Sequence, residues 1–115
     1  MDYSRVYTRI HFLLCLKDAS IADRRTMLTN LTRTQLEPIL EIIIRVVNGV
    51  VSPMRRDVPL FERKRRLFRT LTSTRVSFAR KKALLKRNHS LIPRLLRVPY
   101  LIQTILDETR TARDE

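Results

Sequence analysis

The chain has 115 residues, 43% of them hydrophobic, and a formal net charge of +13 at neutral pH from 24 Lys and Arg against 11 Asp and Glu. That length bounds it to one domain with a modest core, and so large an apolar fraction excludes a purely charged, disordered tail. One glycine cannot supply the hairpins of a β architecture, one cysteine excludes an internal disulfide or a cysteine-based zinc cluster, and the apolar runs fall short of the roughly 18 residues of a membrane span.

The composition predicts an all-α chain, a compact bundle of about five short helices. Ser4 is placed to cap the first, in which Val6, Ile10, Leu13, Leu14 and Lys17 follow a 3.6-residue period. Cys15 lies in its apolar run and reads as a buried thiol. Ser20 and Asp23 make a capping-box-like start to a second helix ending near Asn30, with Ile21, Met27 and Leu28 inward. Thr34 and Glu37 repeat that signal before LEPILEIIIRVV, and Asn48-Gly49 stops it. Pro38 is harmless if it falls in the first turn. Ile39, Leu40, Ile42, Ile43, Ile44, Val46 and Val47 make this third helix apolar on more than one face and hence the central, most buried element.

Residues 50–59, VVSPMRRDVP, form a connector, and Pro59 opens PLFERKRRLFRTL with Leu60, Leu67, Phe68 and Leu71 on one face. After TSTR, VSFARKKALLKRN is expected to turn Val76, Ala79, Ala83 and Leu84 inward and to end at Asn88. The residues 59–88 thus read as a basic helix-turn-helix-like pair. Ser90 begins a last segment that Pro93 and Pro99 shorten or kink, whose Leu91, Leu95, Leu96, Ile102, Ile105 and Leu106 close the core. The organisation is one helical domain over 1–115: mainly apolar helices in 1–52, basic helices in 53–97, and a C-terminal helix with an acidic tail in 98–115.

Charge follows that division. Residues 1–52 hold seven cations against five anions, 53–97 fifteen against two, and 98–115 two against four. Nineteen of the 24 cations are Arg, whose planar fork suits phosphate oxygens better than solubility alone requires. Fifteen cations against Asp57 and Glu62 repel one another unless a polyanion neutralises them. The expected phosphate contacts are Arg63, Lys64, Arg65, Arg66, Arg69, Arg75, Arg80, Lys81, Lys82, Lys86 and Arg87, carried on an arginine-rich helical face. The second helix of the pair offers no Asn or Gln for base edges and the turn has no Gly, so duplex DNA bound without sequence preference is the expected ligand. Phe61, Phe68 and Phe78 sit at core spacing, which argues against single-strand stacking.

Enzyme chemistry is not expected. His11 and His89 have no Cys, Asp or Glu at ligand spacing, no nucleophile or glycine-rich phosphate motif occurs, and no cofactor or metal is called for. Asp2, Asp18, Asp23, Glu37 and Glu41 are explained as helix-start residues. Two other classes stay open: an amphipathic membrane-surface binder acting through SLIPRLLRVPYLIQTIL, and a helical scaffold or assembly protein docking an acidic partner such as a capsid protein. Self-association into a homo-oligomer would join basic surfaces. The N-terminus lacks a small-residue cleavage site, so secretion is not expected.

From Arg24 to Leu106 the order of features carries a resemblance. RRTMLTNLTRTQLEPILEIIIRVVNGVV, the basic LFERKRRLFRTLTSTRVSFARKKALLKRN with its block from Arg66 to Leu85, and the apolar SLIPRLLRVPYLIQTIL together resemble small basic proteins of Polinton/Maverick-type elements and adintovirus-like DNA viruses. Those relatives begin the tail with a Gly-Gly-Phe-Leu-like stretch, where this chain has Asn88, His89, Ser90 and Leu91. By analogy with adenovirus-like virions the resemblance implies a genome-associated core protein located in the host nucleus or the virion, which condenses or packages DNA.

Overall fold

The computed structural model describes the backbone of residues 3–97 and side chains from Arg9 onward. Within them lie seven α-helices: α1 (Tyr3–Asp18), α2 (Ile21–Thr29), α3 (Arg33–Val47), α4 (Val58–Arg63), α5 (Arg65–Thr72), α6 (Phe78–Arg87) and α7 (Ile92–Leu96). Short 3-10 turns at Arg55–Asp57 and His89–Leu91 lead into α4 and α7, and the described residues contain no strand. The expected all-α bundle is what forms. Expectations about residues 98–115, including Pro99, Ile102, Ile105, Leu106 and the acidic tail, lie outside the described residues.

Local chemistry sets the helix ends. α1 already includes Tyr3, so Ser4 is within the helix rather than its cap. Ser20 caps α2 as expected, its Oγ accepting from the Asp23 amide at 3.1 Å. For α3 the capping box sits two residues earlier than Thr34 and Glu37: Thr32 Oγ1 accepts from the Gln35 amide at 3.2 Å and Gln35 Oε1 from the Thr32 amide at 3.0 Å. Gln completes the box as well as Glu does, and the earlier pair gains two more helical residues. Pro38 consequently falls beyond the first turn, where its missing N–H removes the i+4 donor for the carbonyl of exposed Thr34, while its ring is buried in the core. α3 ends in a Schellman motif: the Gly49 amide donates to Val46 O at 3.2 Å and the Val50 amide to Arg45 O at 2.9 Å, with Gly49 at φ +73°.

The stretch PLFERKRRLFRTL does not form one straight helix. It is divided at Lys64, whose amide is shared between the carbonyls of Leu60 (3.1 Å) and Phe61 (3.2 Å). On either side of this tightened turn Phe61 and Phe68 are buried and meet edge to face, with ring centroids 5.7 Å apart. The 59–88 region is therefore three helices rather than a pair.

In the bundle α1 lies against α7, α3 against α5, and α2 against α6, with α5 also meeting α6. Leu16, Leu28, Ile39, Ile42, Ile43, Leu71, Leu85, Ile92 and Leu95 form the fully buried centre. α3 contributes most from a single helix, yet its apolar residues are not all inward: Leu36, Ile39, Ile42 and Ile43 are buried, whereas Ile44 and Val47 are exposed. The inward face of α6 also differs from expectation. Ser77 caps this helix by accepting from the Arg80 amide at 3.2 Å, leaving Val76 in the preceding turn. Ala79 and Ala83 are exposed, and Leu85 is buried in their place. Two methyl groups bring far less apolar area than one leucine side chain, so the helix rotates to bury Leu85. In α1 the large Leu16 wins the core position, while Leu14 and Cys15 are exposed; the thiol is not a core group. Ile21, expected inward, is 63% exposed at the first position of α2.

Two buried charged residues tie elements together. Arg24 in α2 is buried and donates from Nε to Leu16 O at 3.1 Å, and from Nη2 to Lys17 O at 3.2 Å and Ala19 O at 2.9 Å. It closes the carbonyl end of α1, where a cation is also favoured by the helix dipole. Asp57, at the end of the 3-10 turn before α4, is only 1% exposed and accepts two hydrogen bonds from Arg97, at 2.8 Å from Nε and 2.5 Å from Nη2. This fork joins the connector to the end of α7.

Candidate nucleic-acid interface

α4, α5 and α6 are amphipathic helices whose apolar side is taken by Phe61, Phe68, Leu71 and Leu85, so their cations must project elsewhere. Arg63, Arg65, Arg66, Arg69, Arg75, Arg80, Lys86 and Arg87 are exposed, and Lys64, Lys81 and Lys82 are half-buried. Within the described residues, none of these eleven is paired with a carboxylate. Of the two anions in residues 53–97, Glu62 is exposed beside Arg63, and Asp57 is turned inward to Arg97. Hydrogen bonding to Arg97 holds its carboxyl below the usual carboxylate range against the opposing effect of burial, and the charges of Arg97, Arg94 and Arg56 act in the same sense.

The cations do not share one face. Arg65 and Arg69 border a groove of about 410 Å³ between α3 and the α4–α5 segment, together with Val46, Val47, Phe61 and Glu62. Lys81 faces the side of α3 and joins Arg33 around a second groove that also includes Phe78. Lys82 and Lys86 border a third groove, toward Leu28 and Thr29 of α2. Two cations lie over Phe78, with the Arg33 guanidinium 4.9 Å and the Lys82 ammonium 5.4 Å from its ring centre. Phe78 thus serves partly as a cation platform rather than simply as core. Arg66 and Arg80 project into solvent, and Arg75 lies in the exposed turn between α5 and α6.

Arg63, Lys64 and Arg87 do converge. With Arg94 they line a cleft of about 420 Å³ whose remaining wall is Leu60, Asn88, Ser90 and Leu91. Lys64 Nζ donates to Asn88 Oδ1 at 3.3 Å, and Asn88 Nδ2 donates to Leu84 O at 2.9 Å, so the amide that ends α6 holds the lysine at the rim. Arg94, half-exposed, has Nη1 3.9 Å from the Asp57 carboxylate that Arg97 already engages. Sequence reasoning placed Arg94 in an amphipathic tail and had no reason to join it to Arg63. Its spacing from Arg97, one helical turn, was the available signal that both serve one acidic residue.

No group of three or more His, Cys, Asp or Glu among the described residues is arranged to hold a metal ion, and no helix there is long and apolar enough to cross a membrane. His11 stands 3.6 Å from Cys15 Sγ on the exposed side of α1, a contact between neighbouring turns of one helix. No family model, curated protein or solved structure matches the chain.

Proposed function

We propose that the protein binds duplex DNA through its phosphate backbone, without sequence preference and in many copies, and that it condenses or packages a viral or mobile-element genome. The observation that carries this reading is the contrast in how the two signs of charge are used: among the described residues, eleven cations of α4 to α6 and their turns lack a carboxylate partner, while Asp57 is withdrawn into the core and Glu62 alone of the two anions of residues 53–97 stays exposed. A solubilising surface intersperses the signs; one with a single exposed carboxylate among its cations gains most when phosphates supply the missing partners. The cations are Arg and Lys without accompanying amides aimed outward, which gives affinity but no base reading. Their distribution over several sides favours bridging of separate duplex segments over clamping of one, as condensation requires.

Fluorescence anisotropy with a labelled duplex of mixed sequence tests the proposal. If six to ten phosphates are engaged, affinity falls by roughly a thousandfold to a hundred-thousandfold between about 50 and 200 mM salt. Equal affinity for unrelated duplexes accompanies that slope. A flat log-log plot removes the reading.

A second reading draws on the apolar groove of Val46, Val47, Phe61 and Phe68 flanked by Arg65 and Arg69, which suits an acidic amphipathic segment of an assembly partner. That reading predicts a complex of defined composition which survives nuclease treatment.

A further inference from the structure

The cleft bounded by Arg63, Lys64, Arg87 and Arg94 differs from the other basic grooves in gathering four cations from α4, α6, α7 and the turn between α4 and α5, whereas the grooves of Arg65 and Arg69 and of Arg33 and Lys81 each include a glutamate and that of Lys82 and Lys86 has two cations. Its volume of about 420 Å³ lies within the range of small-ligand sites, roughly 300–1,000 Å³. A strand-internal phosphate of a duplex lies on a convex backbone and cannot sink between two facing walls. A phosphate that protrudes from its carrier can. Charge narrows the choice further. Four cations line the cleft, and no carboxylate among the described residues does. A phosphate monoester carries about −1.5 to −2 at neutral pH, so one leaves the cleft strongly positive whereas two neutralise it. Lys64 is pre-positioned by Asn88, and Arg94 by its proximity to Asp57, so part of the ordering cost of binding is already met.

We infer that this cleft is a discrete site for a polyphosphate group, the diphosphate or triphosphate of a free nucleotide or of a nucleic-acid 5′ end, built in part from Arg63, Lys64 and Arg87 of the duplex-binding set. Arg63 of α4 and Arg87 of α6 provide forked donors, Lys64 a point charge held by Asn88, and Arg94 the fourth cation.

Calorimetric titration of the full chain with inorganic tripolyphosphate at physiological salt reads the site directly. The expected result is one tripolyphosphate per chain, with affinity about tenfold or more weaker in Arg63→Gln/Arg87→Gln. The pair Arg25→Gln/Arg55→Gln, which removes the same charge from exposed positions outside the cleft, should change affinity by no more than about twofold. Several weak equivalents per chain, or equal losses in both pairs, overturns the inference. Acylation of lysines in the unaltered protein supplies a readout independent of variant folding: tripolyphosphate should shield Lys64 and leave Lys86 reactive, and equal acylation of the two overturns it. Competition then separates the sources. Displacement by ATP identifies a free nucleotide, and displacement by a 5′-triphosphorylated duplex but not by its 5′-hydroxyl counterpart identifies a strand end; displacement by neither counts against the site. Saturable tripolyphosphate binding alongside a flat duplex salt slope would sink the packaging proposal alone, and the reverse pattern would sink only the cleft.

Discussion

Asp57 illustrates how one residue can be visible in a sequence while its role is not. It appears there as one of two anions among fifteen cations in residues 53–97, which suggests a surface charge diluted by its neighbours. In the fold it is 1% exposed and held by an arginine forty residues away, a pairing that no local pattern announces. Arg24 was equally obscure, because a cation on a short basic helix gives no sign that it will turn back to close the carbonyl end of the preceding one. Replacing Asp57 with Asn should strand the Arg97 guanidinium and cost about 3 kcal/mol in urea unfolding, the lower end of the range for a broken buried pair, because Arg97 keeps some solvent access. The loss should carry a pH signature. The folded carboxyl is depressed relative to the unfolded one, so the stability it contributes is complete above the ordinary carboxylate pKa of about 3.9 and is lost as pH falls below it. Unfolding midpoints of the parent and the Asp57→Asn protein should therefore converge below about pH 4. A constant gap down to pH 2 would mean that the side chain matters through packing alone.

At the level of helices, what was readable was what is local. Ser20 as a cap, Gly49 as a stop, Asn88 as the end of α6, and the turn between α5 and α6 all depend on hydrogen bonds spanning a few residues, and all were legible from residue type. The α3 cap was misplaced by two residues because Thr32 with Gln35 and Thr34 with Glu37 are chemically equivalent patterns, and only the fold selects between them. Which face points inward depends on the neighbouring helix, and there the reading failed for α6. Its alanines follow a plausible stripe, yet Leu85 beside α2 and α5 decides the rotation. Leu85→Ala should thus destabilise by about 2–5 kcal/mol, and Ala83→Ser by well under 1 kcal/mol, in the same denaturant series. A reversal of that order would restore the alanine stripe as the buried face. The division at Lys64 was hidden for a related reason, since nothing in FERKRRLF forbids a continuous helix and the meeting of Phe61 with Phe68 is a tertiary event.

Across the whole molecule, the all-α class and the concentration of charge in residues 53–97 were available from composition, whereas the spatial allocation of that charge was not. Cations at helical spacing on consecutive helices would form one surface if those helices lay side by side. The bundle instead sends Arg65 and Arg69 toward α3, Lys82 and Lys86 toward α2, and Arg63 and Arg87 into a shared cleft. Like charges kept apart in this way still repel through solvent, at distances that a Debye length of about 8–10 Å only partly screens. Added sodium chloride should accordingly raise the melting temperature, by a few degrees between about 20 and 300 mM, over the same range in which the proposed duplex binding would weaken. A melting temperature that falls with salt would indicate that attractive pairs outweigh the repulsion.

The outward dispersal of guanidinium and ammonium groups has one more consequence. If the proposed duplex binding holds, a body with cations on several sides acts as a junction, and such junctions make networks rather than discrete complexes. Mixed with long DNA near charge equivalence, the protein should gather strands into a dense phase at a sharp threshold, and an excess of either component should dissolve it again, because every junction then finds its neighbours already occupied.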